Sequence, residues 1–171
     1  MELALHFILI FFTITIPLLL IYKALHKSSG DLKEKSIVKD SDHQLERQKL
    51  IINAYERLAL LCDRIQPDKL AMRLQNSQLT TQDLSQTMIV AIQQEFDHNI
   101  TQQIFVSESL WNIISLAKDE ALYQIIKISS TLQQDGPSKN LTEALMKIKD
   151  KSQLNTASAA IRTEAKNHVK I

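Results

Sequence analysis

The chain has 171 residues, 44% of them hydrophobic and 23% charged, with a formal net charge of +1 at pH 7. Its two glycines and three prolines are too few for the turns of a β-sandwich or barrel, or for the phosphate loop of a Rossmann or P-loop fold. The balanced charge argues against a nucleic-acid partner, and the single cysteine, Cys62, excludes an internal disulfide framework and a cysteine-rich zinc site. Leu, Ile, Ala, Gln, Lys and Glu dominate, a helical composition.

Residues 1–22 read as a transmembrane anchor. Leu3 to Tyr22 carries no formal charge, and as a helix it would span about 30 Å, the thickness of a hydrocarbon core. Thr13 and Thr15 can bond back to the helix, His6 lies near its end, and membrane helices tolerate a proline such as Pro17. The competing reading is a cleaved signal peptide and an exported domain. The acidic Met1-Glu2 start and the absence of small residues before a cleavage point argue against it. Lys23 and Lys27 follow the span and no Lys or Arg precedes it. The positive-inside rule then places the C-terminal domain in the cytosol.

Residues 23–42 alternate lysines with acids around Ser28-Ser29-Gly30. This reads as a charged flexible linker rather than a lipid-gripping basic cluster.

Residues 43–151 read as an all-α domain, a small bundle of four to five helices. Ser41 and Gln44 form a possible capping box. Ile51, Tyr55, Leu58, Cys62 and Ile65 then recur at helical spacing until Pro67 ends the helix. A short second helix covers Asp68 to Leu74. Thr80 or Thr81 caps a third, whose stripe Leu84, Met88, Ile92 and Phe96 extends to about Ile104. Ser107 caps the fourth and longest, reaching about Leu132. Its stripe is Leu110, Ile114, Ala117, Ala121, Ile125, Ile128 and Leu132, Trp111, Ile113, Leu116, Leu122 and Ile126 make most of the remaining circumference apolar, and Asn112, Ser115, Asp119, Tyr123 and Lys127 form a polar strip. So apolar a helix belongs at the bundle centre. After the break at Asp135-Gly136-Pro137, a fifth helix runs from Ser138 to about Lys151. Residues 152–171 carry only the thin stripe Leu154, Ala157, Ile161 and Ala165, which reads as a weakly amphipathic or disordered tail.

One block holds the densest polar chemistry: Glu95, His98, Asn99, Gln102 and Gln103. Glu95-x-x-His98 has the spacing used in di-iron carboxylate bundles. Those need a second such motif and two further glutamates, and the chain has no second Glu-x-x-His. The block therefore reads as a structural polar network, with no catalytic, cofactor-binding or metal-binding residues assigned and no cofactor implied. G-x-S-x-G, H-E-x-x-H and Walker motifs are absent from the sequence.

Two stretches, YERLALLCDRIQPDKLAMRL and IQQEFDHNITQQIFVSESLWNIISLAKDE, resemble an uncharacterised family of short bacterial single-pass membrane proteins of unknown function. The resemblance covers Ala54 to Glu120. Its most distinctive part is Glu95-x-x-His98-Asn99-x-x-Gln102-Gln103-Ile104. It implies a bacterial inner-membrane setting and assigns no activity. The expected protein is a membrane-anchored helical interaction or scaffold module at the cytosolic membrane face, touching the bilayer through residues 3–22 and docking a protein partner, with no nucleic acid. The alternative is a ligand-binding or enzymatic domain centred on Glu95, His98 and Asn99.

Overall fold

The computed structural model describes residues 15–23, 43–148 and 153–169. The chain divides into two units, Met1–Arg47 and Gln48–Ile171. Among the described residues all regular structure is helical, and an isolated backbone bridge joins Thr80 to Pro137.

Of the expected anchor, residues 15–22 are described, in a helical stretch that runs to residue 23. No helix among the described residues is long and apolar enough to cross a membrane. That finding corrects the expectation of a single-pass protein of the bacterial inner membrane with a cytosolic domain. Residues 3–14 of the expected span, residues 24–42 of the linker and the Ser41 end of the first capping box lie outside the described residues.

Helix α1 covers residues 43–64. Its stripe Tyr55, Leu58 and Cys62 is buried together with Ala54 and Leu61, and Ile65 follows at the helix end. Pro67 opens α2, Pro67–Leu74, at the position where its missing N–H costs no helical bond. Helix α3, Thr81–Asn99, begins with a reciprocal capping box. The Asp83 N–H donates to Thr80 Oγ1 at 3.1 Å, and the Thr80 N–H donates to Asp83 Oδ2 at 3.1 Å. The next orphan N–H groups are satisfied from far along the chain. Those of Thr81 and Gln82 donate to the Gly136 and Gln134 carbonyls at 2.8 and 3.1 Å. The glycine answers to crowding within its own turn: a Cβ on Gly136 would lie 3.0 Å from the Gln133 carbonyl oxygen and 3.3 Å from Asn140 Nδ2.

The third helix does not run on as an α-helix to Ile104. It ends at Asn99 and tightens into a 3₁₀ helix, Ile100–Phe105. Asn99 Nδ2 donates to the Glu95 carbonyl at 2.8 Å, and such side-chain competition for backbone acceptors loosens an α-helical ladder.

Helix α4, Glu108–Ser130, is capped by Ser107, whose hydroxyl accepts from the Leu110 N–H at 3.1 Å. It packs against α2 and α3 and against the two helices that follow, α5 (Ser138–Met146) and α6 (Gln153–Val169). This makes it the hub of the bundle. Leu110, Ile114, Ala117, Ala121 and Ile125 are buried, while Leu116, Tyr123 and Ile126 are exposed, so one strip of the hub stays open.

Helix α5 ends earlier than expected. It closes at Met146, with Leu141 and Leu145 buried, and residues 149–151 of the expected helix lie outside the described residues. The segment read as a weak tail is α6, and it is part of the core. Leu154, Ala157 and Ile161 are buried, Ala160 and Ala165 pack partly against the core, and the helix lies along α4. A narrow stripe suffices here because small side chains let two helices approach closely, so little width is needed to bury the contact.

Candidate functional site

The predicted polar block sits at the α1–α3 seam. Arg57 meets the end of α3 while Arg64 meets a point one turn earlier, so the two helices run antiparallel. The Arg57 Nε–H donates to Asn99 Oδ1 at 3.2 Å and its Nη2 to the His98 carbonyl at 3.2 Å. Arg64 Nη1 pairs with Glu95 Oε1 at 3.1 Å. Asn99 is buried and uses both ends of its amide. Glu95 and Asn99 are thus brought together, through arginines that the sequence reading did not include. Gln102 is buried one turn away and donates to the Thr101 hydroxyl at 3.2 Å. The 3₁₀ turn carries it off the α3 face it would have shared. His98 and Gln103 are exposed. Arg57 and Arg64 were visible as two arginines seven residues apart on α1, beside its apolar stripe.

A second polar joint centres on Glu164 of α6. Its Oε1 accepts from the Ser107 N–H at 2.8 Å and from the Tyr55 hydroxyl at 3.1 Å. Its Oε2 accepts from the Ser107 hydroxyl. The His168 ring lies 6.0 Å from the Tyr55 ring, centroid to centroid. Burial alone would raise the Glu164 carboxyl. The hydrogen bonds from Ser107 and Tyr55, with His168 nearby, outweigh it and hold the group below its ordinary value. Tyr55 moves the other way, driven up by burial and then by the adjacent carboxylate, so it remains a donor. The carboxylate sits at the positive end of α4, where it completes the cap. Ser107 donates to Glu164 and accepts from Leu110, so its hydroxyl is engaged in the joint rather than poised as a nucleophile. Sequence reading missed Glu164 because it fell in the presumed tail.

Cys62 is fully buried, and burial pushes its thiol up to about 11 in spite of a hydrogen bond with Ser158. A thiol held neutral in this way is a poor nucleophile. Among the described residues no group of three or more His, Cys, Asp or Glu side chains is placed to hold a metal ion. The described buried side-chain polar atoms all have a hydrogen-bond partner.

The open surface is elsewhere, on the outer side of α3. From Leu84 to Gln94 the sequence has no Asp, Glu, Lys or Arg. Gln82, Gln86 and Ile89 form one wall of an open groove of about 460 Å³, with Ile126, Ser130 and Gln134 opposite. A second groove of about 440 Å³ lies along the other flank, between Leu74 and the side chains of Gln86, Val90 and Gln94. Val90 and Ile126 are 50% and 53% exposed. At the far end of the α3–α4 seam the Phe96 and Trp111 rings stack at 5.2 Å, with the Lys118 ammonium 4.9 Å over Phe96.

Among the described residues, fold and site together define a small helical bundle with two polar joints between helices and an uncharged, grooved face. The chain belongs to the family of unknown function DUF7935, which it matches over residues 1–168. No curated protein and no solved structure matches it.

Proposed function

We propose that the domain is a non-catalytic protein-interaction module that docks its partner on the uncharged face of α3. The observation that carries this reading is the outer side of the run Leu84–Gln94, where Gln86, Val90, Gln93 and Gln94 are exposed beside two open grooves with no formal charge among them. Outer faces of soluble helices are ordinarily charged. Here apolar side chains alternate with glutamine amides, which suit the desolvated centre of an interface better than an isolated charge does. The alternative of a ligand-binding or enzymatic centre at Glu95, His98 and Asn99 has less support. Asn99 is committed to Arg57, Glu95 to Arg64, and the His98 side chain faces solvent.

A photo-reactive amino acid placed at Gln86 tests this in the intact chain, with the same group at Lys139 on α5 as the control. The expected result is a discrete covalent protein adduct at position 86 and none at 139. No adduct at 86, or equal labelling at both positions, would remove the docking face.

A further inference from the structure

We propose that the groove between α3 and α4 is a binding site for a small neutral polyhydroxyl molecule of sugar size, seated on the hydroxyls of Ser85 and Ser129. The two serines come from different helices, line the same groove and are only 7% and 5% exposed. A helical serine can bond back to a carbonyl about one turn earlier, as Ser130 does to Lys127 and Ser158 to Leu154 at 2.7 and 2.8 Å. Ser85 and Ser129 do not. Among the described residues neither side chain has a hydrogen-bond partner, whereas the side-chain polar atoms closed off from solvent all have one. The two oxygens are therefore open to the groove they line. Hydroxyls set at the bottom of a groove in this way are available to a partner from outside the chain.

The rest of the groove narrows the class of that partner. An apolar ligand would cover the two serine oxygens and leave them unsatisfied. An ionised group would lose its hydration with no counter-charge among the lining residues to meet it. Serine hydroxyls and glutamine amides both donate and accept, so the complementary molecule is neutral and carries groups that do both, as hydroxyls do. Ile89 and Ile126 offer apolar surface to the carbons between those hydroxyls. The site is also formed in advance, which lowers the cost of binding. The Gln82 N–H donates to the Gln134 carbonyl at 3.1 Å, tying the start of α3 to the turn after α4. The Gln134 side-chain nitrogen is engaged by the Ser129 and Leu132 carbonyls at 2.7 and 3.0 Å, which fixes the amide and leaves its oxygen as an acceptor. At about 460 Å³ the groove falls within the range of small-molecule sites, about 300–1,000 Å³.

The test is saturation-transfer NMR on the full chain, with glucose, maltose and myo-inositol as probes and glucuronate as the charged counterpart of glucose. The expected result is saturable binding of at least one neutral probe, with glucuronate weaker by roughly tenfold. Ser85→Ala together with Ser129→Ala should weaken the neutral probe by roughly tenfold. The same double variant should keep its thermal midpoint within about 2 °C of the parent, because the two hydroxyls hold nothing else in the fold. No saturable binding of any neutral probe, glucuronate binding as tightly as the neutral probes, or binding indifferent to the double variant would each overturn the site. A midpoint that falls steeply would show the hydroxyls to be engaged within the fold and would overturn it as well. No protein partner enters this measurement, so its failure leaves the docking reading intact, and a missing adduct at position 86 leaves the sugar-sized site intact.

Discussion

Asn99 and His98 are neighbours in sequence with opposite fates. Asn99 is 3% exposed, and its amide ties Arg57 to the end of α3. His98 contributes only its backbone carbonyl to Arg57, a contact that any residue would supply. Asn99→Ala should therefore cost about 1–3 kcal/mol, because it leaves Arg57 and the helix end short of partners. His98→Ala should cost under about 0.5 kcal/mol, as surface substitutions do. Urea denaturation of the two variants side by side checks both figures. The sequence had pointed to His98 as a network member because helical spacing puts it near Glu95. What it could not show was which side of α3 would meet α1, and the position of Arg57 settles that. Cys62 and Glu164 add a pH signature. Cys62 is raised from 9.0 to about 11 in the folded state, so its contribution is fully present below pH 9.0 and is lost as the pH rises through 11. That loss amounts to roughly 2–3 kcal/mol. Tyr55, also raised, adds to the alkaline loss above its own ordinary value. Glu164 is lowered from 4.5, so its contribution is present above pH 4.5 and is lost as the pH falls through its folded value. Cys62→Ala should flatten the stability profile between pH 9 and 11 and leave the acid limb unchanged, which denaturation midpoints across pH will read.

At the scale of elements, α6 is where sequence and structure part most. The stripes of α1, α3 and α4 were legible because large residues repeat at helical spacing, as Leu84, Met88 and Ile92 do. Their caps were legible too, since Thr80 and Ser107 are residues that bind N-terminal amides. Helix α6 offers one leucine, one isoleucine and a set of alanines, too little apolar surface to announce a core helix on its own. Its place is set by long-range partners: α4, along which it packs, and the Glu164 joint with Tyr55 and Ser107. The end of α3 was hard to read for a related reason, since the side-chain bond of Asn99 and the pull of Arg57 are tertiary effects. If α6 is integral, a chain ending at Ile148 should lose cooperative thermal unfolding, because Leu141, Leu145 and the α4 hub lose a covering layer. A truncated chain that still melted sharply near the full-length midpoint would return α6 to the status of an appendage.

For the whole molecule, the face proposed for docking is separate from the surfaces that hold the bundle together. The core stripe of α3 faces inward through Leu84, Met88 and Ile92, while Gln86 and Val90 lie on its outer side beside the grooves. The polar joints with Arg57, Arg64 and Glu164 lock α1, α3, α4 and α6 together through side chains that line neither groove. The uncharged run itself was readable from the sequence. Its exposure was not, because a run such as Leu84–Gln94 reads equally as a helix buried on every side until the neighbours of that helix are known. This division of labour is the central claim, and Val90→Arg tests it most directly when the thermal midpoint and the photo-adduct yield at Gln86 are measured on the same protein. The account predicts a midpoint within about 2 °C of the parent, since an exposed substitution changes stability little, together with loss of most of the adduct. A midpoint that falls steeply, or an adduct yield that does not change, would contradict it.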